Sequence, residues 1–485
     1  MNQYKEIIPL TNWEIVSINP ANKNWNWFDL FCFWATSIQT LIGFSLFATL
    51  YLAYNLNTYV VLTGSLIAVI LVYFFSNLIG KISQKYGLPF PVILRPSMGL
   101  NGARYVSLIR VVVGIFMFGV QTFFISKSIS YLIRILIFNI DQSILNHVIF
   151  SLFFIGLDLV DWFSFIITLL FQYFLFTKGQ IALRKIIKFS SLFVYFGLLF
   201  FLFIIVTENF DSVVSSLKLS LVFDNFVSKS NFFPIISVAG TIFAYFSILI
   251  VSFGDYSRYL SNEKELNKGN LSIIINLILF SFIGIIIVVG SDIILTKNFV
   301  QLNQLLTNPN DILGKFNNVY LTVTALIFIL VSSLSTNLIA NYIPSQNGFI
   351  NFLPTKLSLK SSGLLILIIS FLVGSFWLSF LSQSGVLSII DTLGCFFGSI
   401  FGIVISDYYL IRNQKYQNRD IFLSSKESIY FYSNGWHLKG IYSLLIGFIF
   451  SASTIWNANL ISLQPFSFII GSFFSYIVYY LLSSK

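Results

Sequence analysis

An all-α polytopic membrane protein of about twelve transmembrane helices is the fold class the sequence predicts, and three observations predict it. The 485 residues are 56% hydrophobic and only 9% charged, with mean hydropathy +0.85, which excludes a soluble globular protein of ordinary composition. Apolar runs of about 17 to 25 residues, the length that crosses a bilayer, recur along the whole chain. The basic residues between those runs alternate in density from one loop to the next.

The runs fall at about 28–52, 57–80, 105–133, 156–176, 186–206, 233–253, 271–295, 318–344, 362–380, 385–411, 439–457 and 463–483. A polar segment, 1–27, precedes the first and lacks the apolar core of a cleavable signal peptide. Ten spans occupy 28–411, a polar loop follows at 412–438, and two more spans complete 439–485. The longest connections, 207–232 and 298–317, are too short for a separate soluble domain.

A formal charge of +10 suggests an acidic partner only until the charges are placed. With the N-terminus inside, 22 of the 28 Lys and Arg fall on the cytoplasmic side and six on the other, Lys127, Arg134, Lys218, Lys229, Lys297 and Lys315. That is the positive-inside pattern, so the basic balance reports topology, with both termini cytoplasmic, and calls for no nucleic acid. The bilayer itself is the expected partner, around a monomer in the plasma (inner) membrane. Cys32 and Cys395 both lie in predicted spans and read as small packing residues.

Function is read from polar residues placed where hydrocarbon is expected. Residues 332 to 341, Ser-Ser-Leu-Ser-Thr-Asn-Leu-Ile-Ala-Asn, carry six polar side chains inside the eighth span. Interhelical hydrogen bonds in membranes return only about 0.6 to 2 kcal/mol each, little for so many. Ser332, Ser335 and Thr336 share one helix face at i, i+3 and i+4, so their oxygens can converge on a small hard cation. Further interruptions stand at Ala35 to Gln39 in the first span, Gly119 and Gln121 in the third, and Gly240 and Ser247 in the sixth. Asp391 is the one acid expected well inside a span, a candidate proton site. Lys127 is expected to snorkel to the interface.

Five motifs occur in order. They are Asn24-Trp-Asn-Trp27 with Phe33-Trp34-Ala35; the stretch from Gly87 through Arg95-Pro-Ser-Met-Gly99 to Arg104; Ile109-Arg110 leading to Phe116-Met-Phe-Gly119-Val-Gln121; Asp255-Tyr-Ser-Arg258; and Ser406-Asp407-Tyr-Tyr409 with Arg412. In these the chain resembles the nucleobase–cation symporter family, which includes hydantoin, allantoin, cytosine and uracil permeases. The resemblance implies the leucine-transporter (LeuT) type of fold, a five-plus-five inverted repeat over about 28–206 and 233–411 with two added C-terminal helices, and broken first and sixth helices.

Carried over position by position, the resemblance implies a sodium site at the carbonyls of Ala35, Ile38 and Ser332 and the hydroxyls of Ser335 and Thr336. It implies a substrate site at Gln39, Gln121 and Asn341, with Asn337 close by. Primary amides offer donors and acceptors without charge, as a neutral lactam or ureide edge requires, and no Arg is expected deep in these helices. Where relatives carry two Trp that sandwich a flat heterocycle, this chain has Met117 and Phe246, with Tyr245 adjacent. A ring can still stack on Phe246; Met117 offers sulfur instead of a π face.

The expected function is therefore cation-coupled import of a small planar heterocycle by alternating access, with Na+ or H+ as coupling ion and no other cofactor. An uncoupled channel or sensor on the same fold is the alternative. A membrane-embedded enzyme is disfavoured, because the two histidines, His147 and His437, lie near loops and no nucleophile and base pattern appears.

Overall fold

The computed structural model describes residues 15–54, 56–145, 152–218, 229–298, 318–423 and 426–484. His147, residues 219–228 of the connection 207–232 and residues 299–317 of the connection 298–317 lie outside them.

The first span is broken as the resemblance implies. Its first half, Trp27–Ile38, starts at an N-cap Asn26 whose side chain takes the Phe28 and Asp29 N–H groups, while Asp29 reaches back to the Asn26 N–H at 3.0 Å. Gln39 then leaves helical geometry at φ −76°, ψ 62°. Thr40 caps the second half, Leu41–Ala48, by accepting the Gly43 N–H at 2.7 Å, and the halves are bent by 56°.

The remaining apolar runs each contain a helix: Thr58–Tyr86, Leu100–Ile140, Leu159–Phe176, Gln180–Lys218, Lys229–Val251, Glu263–Asn298, Val319–Thr336 continuing to Phe352, Leu359–Ser375, Val386–Ile405, Leu438–Trp456 and Ser467–Ser483. Several overshoot the runs. The third, fifth and seventh reach 41, 39 and 36 residues, because the apolar pattern marks hydrocarbon depth whereas backbone hydrogen bonding carries the helix on into the interface. Leu359–Ser375 has 17 residues and is lengthened by a wide π-type turn at Trp377–Leu381.

The sixth helix departs from expectation, running unbroken from Lys229 to Val251 through Gly240. A Cβ at Gly240 would lie 2.7 Å from the Phe466 ring and 2.8 Å from Pro465, so the glycine admits the connection between the last two helices instead of breaking its own. The chain interrupts only afterwards, at Ser252 and Phe253, before one turn at Gly254–Ser257. The tenth and twelfth helices pack through small residues: a Cβ at Gly398 would meet the Phe468 carbonyl at 2.2 Å, and one at Gly402 the Ser472 carbonyl at 2.2 Å.

Buried charge is more abundant than the sequence reading allowed. Asp29, Asp161, Asp255 and Asp407 are all buried, whereas Asp391 is exposed near the start of Val386–Ile405, so it is not the lone interior acid. Lys127 does not snorkel; it pairs with Asp161 at 2.7 Å, beside Arg134 and Asp158, and joins the third helix to the fourth. Arg95, Arg110 and Arg258 are fully buried. The dispersed motifs meet here. Asp255 accepts the Phe90 N–H at 3.0 Å and the Asn347 amide at 2.9 Å; Arg412 pairs with Asp407 at 3.0 Å and donates to the Pro96 carbonyl at 3.2 Å. Through Phe90 and Pro96, Asp255 and Arg412 fasten the folded segment between the second and third helices.

Candidate functional site

The polar run of the eighth helix is where the helical ladder widens. The α-helix Val319–Thr336 gives way to a π-type segment, Asn337–Tyr342, and then to Ile343–Phe352. Such bulges loosen the backbone ladder and re-aim side chains, and they recur at functional sites. Thr336 lies at the end of the regular helix, with Asn337 and Asn341 in the bulge.

On one side this stretch faces the broken first helix. Ser332 Oγ donates to the Gln39 carbonyl, and Thr336 Oγ1 donates to the Thr36 carbonyl at 2.9 Å and to Ser332 O at 3.0 Å. Ser335 Oγ lies 2.9 Å from Ser332 O and 3.0 Å from Val331 O. Three hydroxyls and the carbonyls of residues 36, 39 and 332 therefore gather at the break, an all-oxygen donor set suited to a hard cation. Of the expected carbonyls, Ser332 O lies within this group. Ala35 O accepts the Gln39 N–H at 3.0 Å, and Ile38 O accepts the Thr40 N–H at 2.8 Å. Sequence reasoning missed Thr36 and the Gln39 carbonyl. Only the phase of the first helix against the eighth selects which carbonyls face across.

On the other side lies an amide cluster. Asn341 Nδ2 donates to Gln121 Oε1 at 3.0 Å and to Asn337 Oδ1 at 2.9 Å. Asn337 Nδ2 in turn reaches Gln172 Oε1 at 2.9 Å and Thr122 Oγ1 at 3.1 Å, and Gln121 Nε2 donates to Ser333 O at 3.3 Å. Gln172 of the fourth helix and Thr122 were not singled out from sequence, although an amide inside an apolar run was a signal available there. All five residues are buried, and every bond joining them is between neutral groups.

Gln39 differs from the other amides. It is 1% exposed, and among the described residues neither side-chain Oε1 nor Nε2 makes a hydrogen bond of normal geometry, although Tyr195 of the fifth helix is close by and the Gln39 carbonyl holds Ser332. An unsatisfied buried group costs about 1 to 3 kcal/mol, so this amide is poised for a ligand with a matching edge.

The aromatic residues stand as follows. Tyr245 OH donates to Ser37 O at 3.0 Å and receives the Thr40 hydroxyl at 2.9 Å, bridging the break from the sixth helix. Phe246 is 1% exposed, edge-on to Trp34 at 6.4 Å and to Tyr245 at 5.0 Å. With Ile38, Gly43, Phe47 and Phe280 both line a small apolar pocket beside the break. Met117 is partly buried, one turn from Gln121. Asp391 is not brought to this site; no hydrogen bond among the described residues links it to the amides or to the hydroxyls.

One expectation needs correction. Arg110 does lie deep among these helices, fully buried, donating to Ala340 O next to Asn341. Its backbone stands eleven residues, roughly 16 Å of helix, from that of Gln121, yet its guanidinium reaches the eighth helix beside Asn341, so one positive charge borders an amide cluster whose own members are uncharged.

Residues 17–478 match the family model described as permease for cytosine/purines, uracil, thiamine, allantoin. The chain is similar to a purine-uracil permease of Arabidopsis thaliana, 24% identical over 445 residues covering 91% of this chain and 70% of that one. It is also similar to the allantoin permease of Bacillus subtilis, 23% identical over 476 residues covering 98% and 93%. In structure it resembles Mhp1, a nucleobase-cation-symport-1 family transporter solved closed with bromovinylhydantoin bound, at TM-score 0.70 and 14% identity over 97% of this chain and 94% of that one. A Na+-coupled sialic acid symporter, outward-open, follows at TM-score 0.65 and 12% identity over 96% and 90%. The fold is thus the LeuT type, its relatives are permeases and not enzymes, and the chain is an integral membrane protein that belongs to the family of permeases for cytosine/purines, uracil, thiamine and allantoin.

Proposed function

We propose that the protein imports a small neutral planar heterocycle of nucleobase, allantoin or hydantoin type together with Na+, as a monomer in the plasma membrane with both termini cytoplasmic. The observation that carries this reading is one helix serving two ligands: Ser332 and Thr336 grip the break in the first helix, while Asn337 and Asn341 present amides to Gln121. A cation among Thr36 O, Gln39 O, Ser332 O and the hydroxyls of Ser335 and Thr336 fixes the eighth helix relative to Gln39. With the cation held, Gln39, Gln121 and Asn341 address the same substrate edge.

Alternating access then requires that the cation bind one state more tightly than the other. The purine-uracil and allantoin permeases among the relatives support the substrate class, and the Na+-coupled symporter among the structural neighbours supports the ion. Met117 and Phe246 leave a binding slot with one stacking ring, Phe246, flanked by Tyr245.

Uptake of labelled uracil, cytosine, hypoxanthine, allantoin and benzylhydantoin into proteoliposomes tests the reading. Concentrative uptake of one of them, driven by an inward Na+ gradient and dissipated by a sodium ionophore, is the expected result. Uptake that follows a proton gradient and fails in Asp391→Asn replaces Na+ with H+; downhill flux alone replaces the symporter with a channel.

A further inference from the structure

Resting on that reading, we propose that Asp29, Arg184 and Lys188 form a cytoplasmic latch that holds the first half-helix against the fifth helix and must part for the inner side to open. Asp29 is buried, its side chain 1% exposed, and it meets two cations from one neighbouring helix. Arg184 grips it in a fork, Nε to Oδ1 and Nη2 to Oδ2, both at 2.6 Å, and Lys188 Nζ lies 2.9 Å from Oδ1. The same guanidinium donates to the Asn24 side chain at 3.0 Å and to the Asn24 carbonyl at 3.1 Å. Planar, bidentate pairing of this kind is directional, so a small displacement loses both bonds.

The remaining ties of this half-helix lead elsewhere. Trp25 N–H donates to Tyr259 O at 3.0 Å and Ser261 N–H to Trp25 O at 3.1 Å; Trp27 N–H reaches Glu265 at 2.6 Å; Trp34 Nε1 reaches Asn270 at 3.0 Å. These fasten residues 25 to 34 to the seventh helix and the segment before it, making one body. Above the latch, the direct polar contacts of the half-helix with the fifth helix are weak ones, Thr36 Oγ1 to Ile187 O at 3.5 Å and the Cys32 thiol against Ser191. The ionic cluster is thus the charged link between that body and the fifth helix on this face, while the Tyr195 hydroxyl, donating to Asn276 of the seventh helix, is a neutral tie nearer the break. The cluster sits ten residues, about 15 Å, from the break at Gln39. Cation hydroxyls and latch hold opposite ends of one short rod, which gives ion binding at one end leverage over closure at the other.

The chain carries its own reporter. Cys32 is 0% exposed, one turn above Asp29, and its thiol lies against Ser191 of the fifth helix near Lys188. Parting of the latch uncovers it from the cytoplasmic side; Cys395, buried in the tenth helix, is the internal control. Maleimide labelling of full-length protein in inside-out vesicles, resolved by peptide mass, reads both. Asp29→Asn and Arg184→Gln are each expected to raise the Cys32 rate about tenfold with Cys395 unchanged, a shift in population toward the open inner state. Arg184→Lys, which keeps the charge and loses the fork, is expected to fall between. Rates within twofold of the parent overturn the latch, as does equal acceleration at both cysteines in Arg184→Lys. Ligand thermal shifts on the same samples separate the outcomes. Retained stabilisation by a heterocycle with unchanged labelling removes the latch alone, whereas loss of every heterocycle response in the parent removes the substrate reading.

Discussion

Asn341 and Gln121, 220 positions apart in the chain, join the eighth helix to the third through an amide hydrogen bond of 3.0 Å. Because Asn341 spends the same nitrogen on Asn337, the two helices are coupled through one group that a substrate must share or displace.

Replacing that group should weaken binding more than folding. Asn341→Ala removes the amide proposed to pair with the substrate edge, and losing one or two neutral hydrogen bonds to the ligand, each worth about 0.5 to 1.5 kcal/mol, should weaken binding of the transported heterocycle roughly 2- to 150-fold. Equilibrium binding to purified protein measures it. An unchanged Kd would remove Asn341 from the substrate site.

Sodium dependence should reside in the hydroxyls at the break. The double variant Ser335→Ala with Thr336→Ala keeps the helix but removes two oxygens, and its heterocycle binding should no longer respond to Na+ between zero and saturating concentration. Thr336→Ser, which retains the oxygen, should keep a response. Binding that still rises with Na+ in the double variant places the ion elsewhere.

The attachment of the last helix should be intolerant of bulk. Gly398→Val puts its Cβ 2.2 Å from the Phe468 carbonyl, and backbone cannot yield as a flexible side chain does. Overpacking of this kind costs about 1 to 3 kcal/mol or more, so the variant should melt several degrees lower in detergent. Gly394→Ala, four residues away with nothing within 4 Å, is the matched control and should be neutral.

Stability should fall on mild acidification at His437. This residue lies just before Leu438–Trp456, stacked on Tyr432 at 3.9 Å, and burial holds its imidazole below the usual histidine value, beyond what the Ser97 carbonyl and Asp407 restore. A depressed folded-state pKa means the unfolded chain takes up the proton first. The contribution is therefore complete above about pH 6.5 and is lost as pH falls from there through the lower folded value. The melting temperature should drop over that window in the parent and drop less in His437→Gln.

Much of the site was legible in the sequence because burial in hydrocarbon makes polar residues conspicuous. Gln39, Gln121, Asn337 and Asn341 stood out against apolar neighbours, and the structure brings the last three into one cluster. What went unread depended on phase and partner. Gln172 looked like any lone amide until the fourth helix delivered it to Asn337, and Lys127 looked free until Asp161 came beside it. Gly240 read as a break, yet its missing Cβ serves Phe466, which is 226 positions away.

By itself the sequence determined the class of solvent, the number and order of apolar runs, and the family, since each follows from local composition, period or short motifs. Tertiary structure alone decided which carbonyls of the first helix face Ser332 and Thr336, which amides meet, and that Asp391 stands apart while Asp29 is clamped. Those outcomes turn on helix rotation and depth. A shift of one residue turns a helical side chain by about 100°, and no composition or local pattern fixes that angle until the neighbouring helices pack.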